Sequence, residues 1–177
     1  YNNAGNWTNV GTDNAMYTTP VLTIGSYSYR LIVTQGSGCS VQSANQTVTV
    51  VADPTVSVST DNPTLCIGGT ATLTASVSGG TGTNLFQWQE NVLGTWTIIG
   101  GNQNSYTSPA YGSNGTYTYR VLVTQASGCS VLSANQIVTV VSDPIITVEP
   151  IGFVECIGQT NSLTVTATGG TGTFTYQ

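Results

Sequence analysis

Apolar and polar residues alternate in short runs along the chain, and glycine, proline or asparagine separates many of the runs. In residues 70–77, and again in residues 116–124, every second side chain is apolar or aromatic. A period of two places those side chains on one face of an extended strand, and residues 54–143 show no helical period of 3.6. The pattern in that segment predicts seven strands: 55–59, 70–77, 85–89, 95–99, 105–108, 116–124 and 131–141.

Seven short strands separated by turns predict an all-β fold, a β-sandwich of the immunoglobulin-like type. Trp88 falls on the third strand, where such a sandwich keeps its core tryptophan. Tyr117 follows Gly115 where a tyrosine corner leads into the sixth strand, and Tyr119 stands where an antibody domain has its second core cysteine. Since the second strand offers Leu73, we expect no inter-sheet disulfide. The expected core residues are Leu73, Trp88, Tyr117 and Tyr119.

The chain repeats itself at an interval of 90 residues. Residues 28–54 and residues 118–144 are identical at 20 of 27 positions. The repeat continues beyond them, because Cys66-Ile67-Gly68 recurs as Cys156-Ile157-Gly158. Self-similarity at a fixed interval is typical of tandem arrays, so we expect immunoglobulin-like repeats of about 90 residues each.

Three segments follow from this interval. Residues 54–143 form one complete repeat, residues 1–53 the C-terminal part of another, and residues 144–177 the N-terminal part of the next. Residue 177 matches residue 89 and residue 1 matches residue 90, so the two outer segments are parts of one repeat. The chain is then either an arbitrary fragment of an array or the 177-residue translational unit of a periodic filament, and the phase match favours the unit. We expect the native polypeptide to be longer.

Each joint between repeats contains an aspartate followed by proline, at Asp53-Pro54 and Asp143-Pro144. Proline has a fixed φ and restricts the residue before it, which stiffens a linker. Only about two residues separate the predicted strands at such a joint. We therefore expect the partners of each repeat to be its neighbours in the same polypeptide, stacked into a rod.

Charged residues make up only 5% of the chain, with two arginines, no lysine, no histidine and a formal net charge of −5. The missing histidine is the commonest general base, so we expect neither an enzyme with catalytic residues nor a bound cofactor. Two arginines cannot form the basic surface that nucleic acids need. No apolar run approaches the roughly 20 residues of a membrane-spanning helix, so no membrane span is expected.

Five strings of the chain stand out as motifs: Cys66-Ile67-Gly68-Gly69-Thr70, Gln87-Trp88-Gln89, Tyr106-Thr107-Ser108-Pro109, Tyr117-x-Tyr119-Arg120-Val121 and Gly128-Cys129. Together they resemble the tandem immunoglobulin-like repeats of very large Bacteroidetes cell-surface proteins. That group includes gliding-motility adhesins exported by the type IX secretion system. The resemblance covers the whole chain and implies a stalk-forming adhesin that is extracellular, at the cell surface or secreted. It brings no catalytic residue with it.

Each repeat contains two cysteines, one before the second strand and one after the turn that follows the sixth. An even count in an extracellular protein suggests disulfides. A bond within one repeat would join Cys66 to Cys129, but the two should lie at opposite ends of the sandwich, too far apart for a disulfide. We therefore hypothesise disulfides between repeats, from Cys66 to Cys39 of the following 177-residue unit and from Cys156 to Cys129 of that unit.

Two patterns could indicate metal sites, and neither has the ligand spacing such sites need. The cysteines form no CxxC pair and have no histidine partners for zinc. Asp53, Asp61 and Asp143 lie near the expected domain ends, but isolated aspartates lack the alternating ligands of a calcium loop. We expect no metal.

The preferred function is a structural stalk or filament segment of an extracellular adhesin. The alternative is a binding module for surface glycans or another protein, in which Trp96 and Tyr111 stack on a sugar and Asn102 and Asn104 bind its hydroxyls, although packing within the domain is the preferred role of both aromatic side chains. The matching segment keeps a tryptophan but has Val21 in place of Tyr111. An accessory domain of a secreted enzyme is a third possibility that no residue supports. Strand edges rich in Thr and Ser and without lysine also predict lateral self-association into thicker filaments.

Overall fold

A computed structural model describes residues 1–3 and 5–177, and among these residues every regular element is a β-strand. The chain divides into two compact units, Tyr1–Asp53 and Pro54–Gln177. The first unit contains β1 (Asn2–Asn3), β2 (Asn6–Trp7), β3 (Gly25–Tyr29), β4 (Ile32–Thr34), β5 (Ser40–Gln42) and β6 (Gln46–Val50). The second contains β7 (Thr55–Thr60), β8 (Thr64–Cys66), β9 (Thr72–Ser78), β10 (Asn84–Val92), β11 (Thr95–Ile99), β12 (Ser105–Thr107), β13 (Gly115–Gln125), β14 (Ser130–Leu132), β15 (Gln136–Val141), β16 (Ile145–Val148) and β17 (Thr166–Thr168).

Residues 54–143 form a sandwich of two sheets. One sheet has the order β11-β10-β13-β15-β8, with β14 also paired to β13, and the other has the order β12-β9-β7. Side chains from both sheets share one core, so the sheets lie face to face. This arrangement of two sheets, antiparallel except for β8, is that of an immunoglobulin-like β-sandwich, as the sequence predicted.

Two details of this sandwich differ from the predicted strands. After Pro63 the chain crosses to the other sheet, where β8 pairs in parallel with β15, Cys66 beside Val141. The predicted strand 131–141 is two strands, because the Ser133 hydroxyl accepts the backbone N–H of Val121 at 3.0 Å and interrupts the ladder. Residues 54–143 therefore contain nine strands rather than seven.

The core of this sandwich is built on the alternating face of its strands. Leu73, Trp88 and Tyr119 are buried, and Tyr117 is half-buried and packs against the same core. The remaining buried apolar residues are Ala71, Ala75, Tyr111, Val121, Val123, Val138 and Val140. No disulfide joins the two sheets in this described segment, and Tyr119 and Leu73 fill the interior there.

The first unit has one main sheet, of order β2-β1-β3-β6, and a hairpin of β4 and β5. At an offset of 90, β3 and β6 correspond to the first half of β13 and to β15, and the β4–β5 hairpin corresponds to β13 with β14. The pairing register is preserved, since Gly25 pairs with Val50 as Gly115 pairs with Val140. Residues 1–53 thus form one sheet of the repeat.

Residues 144–177 contribute the antiparallel pair β16 and β17. Ile145 pairs with Thr168, the register in which Thr55 pairs with Ser78 in the complete repeat. This segment therefore has the arrangement of β7 and β9, the strands of the opposite sheet. Across the described residues, no helix is long and apolar enough to cross a membrane.

Candidate functional site

The candidate site comprises the two ends of the complete domain, residues 54–143, and the aromatic side chains that lie between them. At one end, called here the entry pole, Thr55 pairs with Ser78, and the Gln125 amide donates to the carbonyl of Gly79 at 3.3 Å. At the other, called the exit pole, Gly115 pairs with Val140. The 11 residues of β13 run from the exit pole to the entry pole and span about 36 Å. The chain therefore enters this domain at one end and leaves it at the other.

The two cysteines of residues 54–143 lie at opposite poles of the domain. Cys66 pairs with Val141 at the exit pole, whereas the Cys129 carbonyl accepts the N–H of Gln125 at the entry pole. Almost the whole length of β13 separates the two, far beyond the roughly 7 Å between Cα atoms that a disulfide spans. All four thiols, which belong to the described part of the chain, are free, and those of Cys39 and Cys156 are exposed.

A tyrosine corner is present in both units. The Tyr117 hydroxyl donates to the backbone carbonyl of Ser113 at 3.0 Å, and the Tyr27 hydroxyl donates to that of Thr23 at 2.9 Å. In both units the side-chain hydroxyl four residues before the tyrosine also lies within hydrogen-bond distance of the phenol. These bonds fix the start of the strand that crosses each domain.

A chain of hydrogen bonds links two tyrosines to a carboxylate at the core. The Tyr119 hydroxyl donates to Glu90 Oε1 at 3.2 Å and lies 3.1 Å from the Tyr111 hydroxyl, which is therefore the donor to it. Burial raises the pKa of Tyr119 far above its ordinary value, and the hydrogen bond to Tyr111 raises it further. Tyr119 is thus a neutral phenol that orders its neighbours.

Both arginines of the chain are stacked on tryptophans. The guanidinium carbon of Arg120 lies 3.8 Å from the centroid of the Trp96 ring, and that of Arg30 lies 3.9 Å from the centroid of the Trp7 ring. Arg120 Nε also donates to Gln89 Oε1 at 2.7 Å. The guanidinium group covers one face of each indole ring. Both tryptophans belong to the edge strand of their sheet, Trp7 to β2 and Trp96 to β11.

The residues proposed for sugar binding have structural contacts. Tyr111 is only 5% exposed, so its ring is not available for stacking on a sugar. The Asn102 side-chain oxygen accepts the N–H of Phe86 at 2.7 Å, and the Asn104 carbonyl accepts that of Ala75 at 2.8 Å. The sequence allowed either packing or stacking on a sugar for Tyr111, with packing preferred, and the ring is buried.

The aspartates are separated in the structure. Asp61 accepts the backbone N–H of Thr72 at 2.7 Å, and this bond lowers the pKa of the Asp61 carboxyl. Its role is to hold the turn between β7 and β9. No cluster of three or more His, Cys, Asp or Glu side chains suited to a metal occurs among residues 1–3 and 5–177.

No protein family model matches the chain, and no curated protein matches its sequence. Solved structures do match. The N-terminal four immunoglobulin domains of Dscam1 isoform 6.9 match 67% of this chain at 18% identity and a TM-score of 0.39. The fibronectin(III)-like modules of Clostridium thermocellum CbhA match 67% at 16% identity and a TM-score of 0.38. The alignments span 27% and 63% of those structures. Residues 54–143 themselves have the strand order of an immunoglobulin-like β-sandwich.

Proposed function

We propose that the chain is a segment of an extracellular stalk, built as a rod of head-to-tail immunoglobulin-like domains. The observation that carries this proposal is the placement of chain entry and exit at opposite poles of residues 54–143. With β15 ending at Val141 and β16 beginning at Ile145, only three residues form the second joint. A short joint containing proline leaves each domain little freedom to swing away from the axis.

The same internal contacts recur in both units, which supports a structural role. A binding site needs one specialised surface, whereas a rod needs each repeat to be held in the same way. The tyrosine corner and the arginine–tryptophan stack are both conserved between the units. A chain with 5% charged residues and no histidine fits a structural part better than a catalytic one.

We place this stalk outside the cell, as part of an adhesin of the gliding type that the repeat motifs resemble. Antibody against the chain, applied to intact source cells with and without brief external protease treatment, tests this location. We expect surface labelling that protease removes. Labelling only after the cells are permeabilised would contradict the location without bearing on the fold.

Disulfides between successive repeats would reinforce the rod. In a head-to-tail array the exit pole of one domain faces the entry pole of the next, so Cys66 would face Cys39 of the following 177-residue unit and Cys156 would face Cys129 of that unit. Mass spectrometry without reduction, on a polypeptide of two successive units, tests this. A linked peptide pair of Cys66 and Cys39 is expected, and a Cys66–Cys129 pair from one domain would overturn it.

Lateral association of rods is a further part of this proposal. The edge strand β7 consists only of threonine, serine and valine, and the edge strand β11 exposes 61% of Ile98. Neither edge carries the lysines that block strand pairing in many proteins. Electron microscopy of concentrated rods should show bundles, and threads one domain wide at every concentration would contradict bundling.

A glycan- or protein-binding module is the second candidate, and less supports it. Trp96 keeps one ring face away from Arg120, but Tyr111 is buried and Asn102 is used within the fold. Screening the chain against surface glycans would show binding that Trp96→Ala abolishes if this second function holds.

A further inference from the structure

The second joint of the chain, residues 142–144, is held by a turn of the repeat that follows it. Gly170 donates its backbone N–H to the carbonyl of Ser142 at 3.1 Å. Ser142 is one residue beyond β15 and belongs to the complete repeat, whereas Gly170 is two residues beyond β17 and belongs to the next repeat. The hydrogen bond therefore connects two successive repeats, and it lies within one compact unit, Pro54–Gln177.

This hydrogen bond continues the pairing of β16 with β17 beyond the start of the next repeat. Ile145 pairs with Thr168, and Pro144 is the residue that precedes this pair on the same strand. Proline has no backbone N–H, so Pro144 cannot donate a hydrogen bond to the opposite strand. The next hydrogen bond is instead the one from Gly170 to Ser142, so the pairing extends across the aspartate–proline pair into the repeat before it.

The turn itself consists of Gly169 and Gly170, and both positions require glycine. Their φ angles are 83° and 65°, a region in which a residue with a side chain is strained. A Cβ on Gly169 would lie 3.1 Å from the carbonyl oxygen of Asp143, and a Cβ on Gly170 would lie 3.3 Å from Pro144 Cδ. The diglycine turn thus fits closely against the backbone and the proline ring of the joint.

The residues of this contact recur at the repeat interval. The aspartate–proline and diglycine pairs are identical at both places: Asp143-Pro144 with Asp53-Pro54, and Gly169-Gly170 with Gly79-Gly80. Ser142 corresponds to Ala52, a difference that leaves the backbone carbonyl unchanged. The position that contributes only its carbonyl therefore varies, while the positions that need a particular residue type are the same.

In the complete domain, the corresponding diglycine turn is fixed from its inner side by Gln125, which is only 4% exposed. The Oε1 atom of this side chain accepts the N–H of Thr81 at 2.8 Å, and its Nε2 donates to the Gly79 carbonyl and to Asn84 Oδ1. A Cβ on Gly80 would collide with the Gln125 amide. A buried amide with three hydrogen bonds holds the turn in one conformation.

We propose that the diglycine turn is the interface through which each repeat binds the joint that precedes it, with the end of the preceding repeat in the same polypeptide as its partner. The acceptor is the carbonyl of Ser142, and the Pro144 ring packs against the turn. The angle at the joint is then set by this contact and not by the fixed φ of proline alone. The inference rests on the proposed stalk function, because it explains how a joint of that stalk is kept stiff.

Two glycines of the same loop give a matched pair of variants in the 177-residue chain. Gly170→Ala places a methyl group against Pro144, whereas Gly172→Ala places one in open space. The φ angle is 65° at Gly170 and 82° at Gly172, so both variants carry backbone strain of the same kind. The difference between them therefore reports on the contact with the joint. Pro144→Ala is the third variant, which removes the ring and keeps the Ser142 carbonyl.

Nuclear magnetic resonance of the isotope-labelled chain provides the measurement. In the unsubstituted chain we expect a scalar coupling across the hydrogen bond, from the Gly170 nitrogen to the Ser142 carbonyl carbon, and amide exchange at Gly170 about tenfold or more slower than at Gly172. Gly170→Ala should abolish the coupling and increase the internal mobility of the Ile145 amide relative to residues 54–143. Gly172→Ala should leave both close to their original values, and Pro144→Ala should keep the coupling.

Exchange at Gly170 as fast as at Gly172 in the unsubstituted chain would overturn the proposal. Equal loosening of the joint by both alanine variants would also overturn it, because backbone strain would then be the cause. A joint that is loosened by Pro144→Ala and not by Gly170→Ala would show that the proline alone supplies the stiffness. The stalk is tested separately: a rod whose length grows linearly with repeat number in spite of an unprotected Gly170 would retain its function without this contact.

Discussion

Arg120 lies over the ring of Trp96, with its guanidinium carbon 3.8 Å from the ring centroid, and its Nε donates to Gln89. The stack joins two strands that flank β10 and are not themselves adjacent, since β11 and β13 pair with its opposite edges. Arg30 and Trp7 repeat the arrangement in the first unit. Both arginines of the chain thus hold strands of one sheet together, and neither is available to form a basic surface.

Replacing Arg120 by alanine should lower the free energy of unfolding of residues 54–143 by about 1–2 kcal/mol, because it removes the stack and a charge-assisted hydrogen bond. Urea unfolding followed by tryptophan fluorescence measures the change. Arg120→Lys is the matched variant, since it keeps a cation near the ring and should lose less. Equal stability of Arg120→Ala and the unsubstituted chain would show that the stack contributes nothing.

Trp88 is the largest fully buried side chain of the core, and its Nε1 donates to the carbonyl of Gln103 at 3.0 Å. Trp88→Ala should cost about 3–5 kcal/mol, because it leaves a cavity and an unsatisfied carbonyl. Trp88→Phe keeps most of the apolar volume and should cost clearly less. Thermal unfolding of the three proteins gives the order, and a Trp88→Ala protein as stable as Trp88→Phe would contradict the core assignment.

Tyr119 makes stability sensitive to alkaline pH. Its pKa is higher in the folded state than in the unfolded state, where it is about 10, so its contribution is complete below that pH and declines as the pH rises above it. The urea midpoint should therefore fall between neutral pH and pH 11 or so. Tyr119→Phe should reduce this fall, with a remainder from Tyr106, whose pKa burial also raises. An unchanged pH dependence in Tyr119→Phe would be the contrary result.

Asp61 should give the opposite dependence at acid pH. The N–H of Thr72 lowers the pKa of Asp61 in the folded state, so its contribution is present above an unfolded pKa of about 3.9 and is lost as the pH falls through the folded value. Asp61→Asn keeps an oxygen acceptor without the titration. Its unfolding curves between pH 5 and pH 2, roughly, should shift less than those of the unsubstituted chain. Equal shifts in both proteins would show that titration of Asp61 does not contribute to the loss of stability at acid pH.

Alternation along the strands was sufficient to predict much of the sandwich. The predicted strand 95–99 has the bounds of β11, and 55–59 differs from β7 by one residue. The three residues of β8 are too few to show alternation, and their place beside β15 depends on a crossing after Pro63 that only packing decides. The break between β14 and β15 at Ser133 could not be predicted from alternation either. It depends on the Ser133 hydroxyl, which accepts the N–H of Val121, 12 residues away in sequence.

Less of the candidate site than of the fold could be predicted from the sequence. The stack of Arg120 on Trp96 depends on strand register, which places Gln89 opposite Arg120 and Asn91 opposite Trp96. Its recurrence at the repeat interval, in Arg30 and Trp7, was the signal that could have revealed it. Burial of Tyr111 depends on a loop folding over the exit pole, where the Tyr111 N–H donates to the carbonyl of Gly69. Alternation carries no information about such loops.

Small-angle X-ray scattering from polypeptides of one, two and three successive repeats tests the proposed stiff rod most directly. Each added repeat should lengthen the maximum dimension by about 36 Å, the span of β13, so that length grows linearly with repeat number. A maximum dimension that instead grows roughly as the square root of repeat number, as for domains on flexible linkers, would contradict the claim.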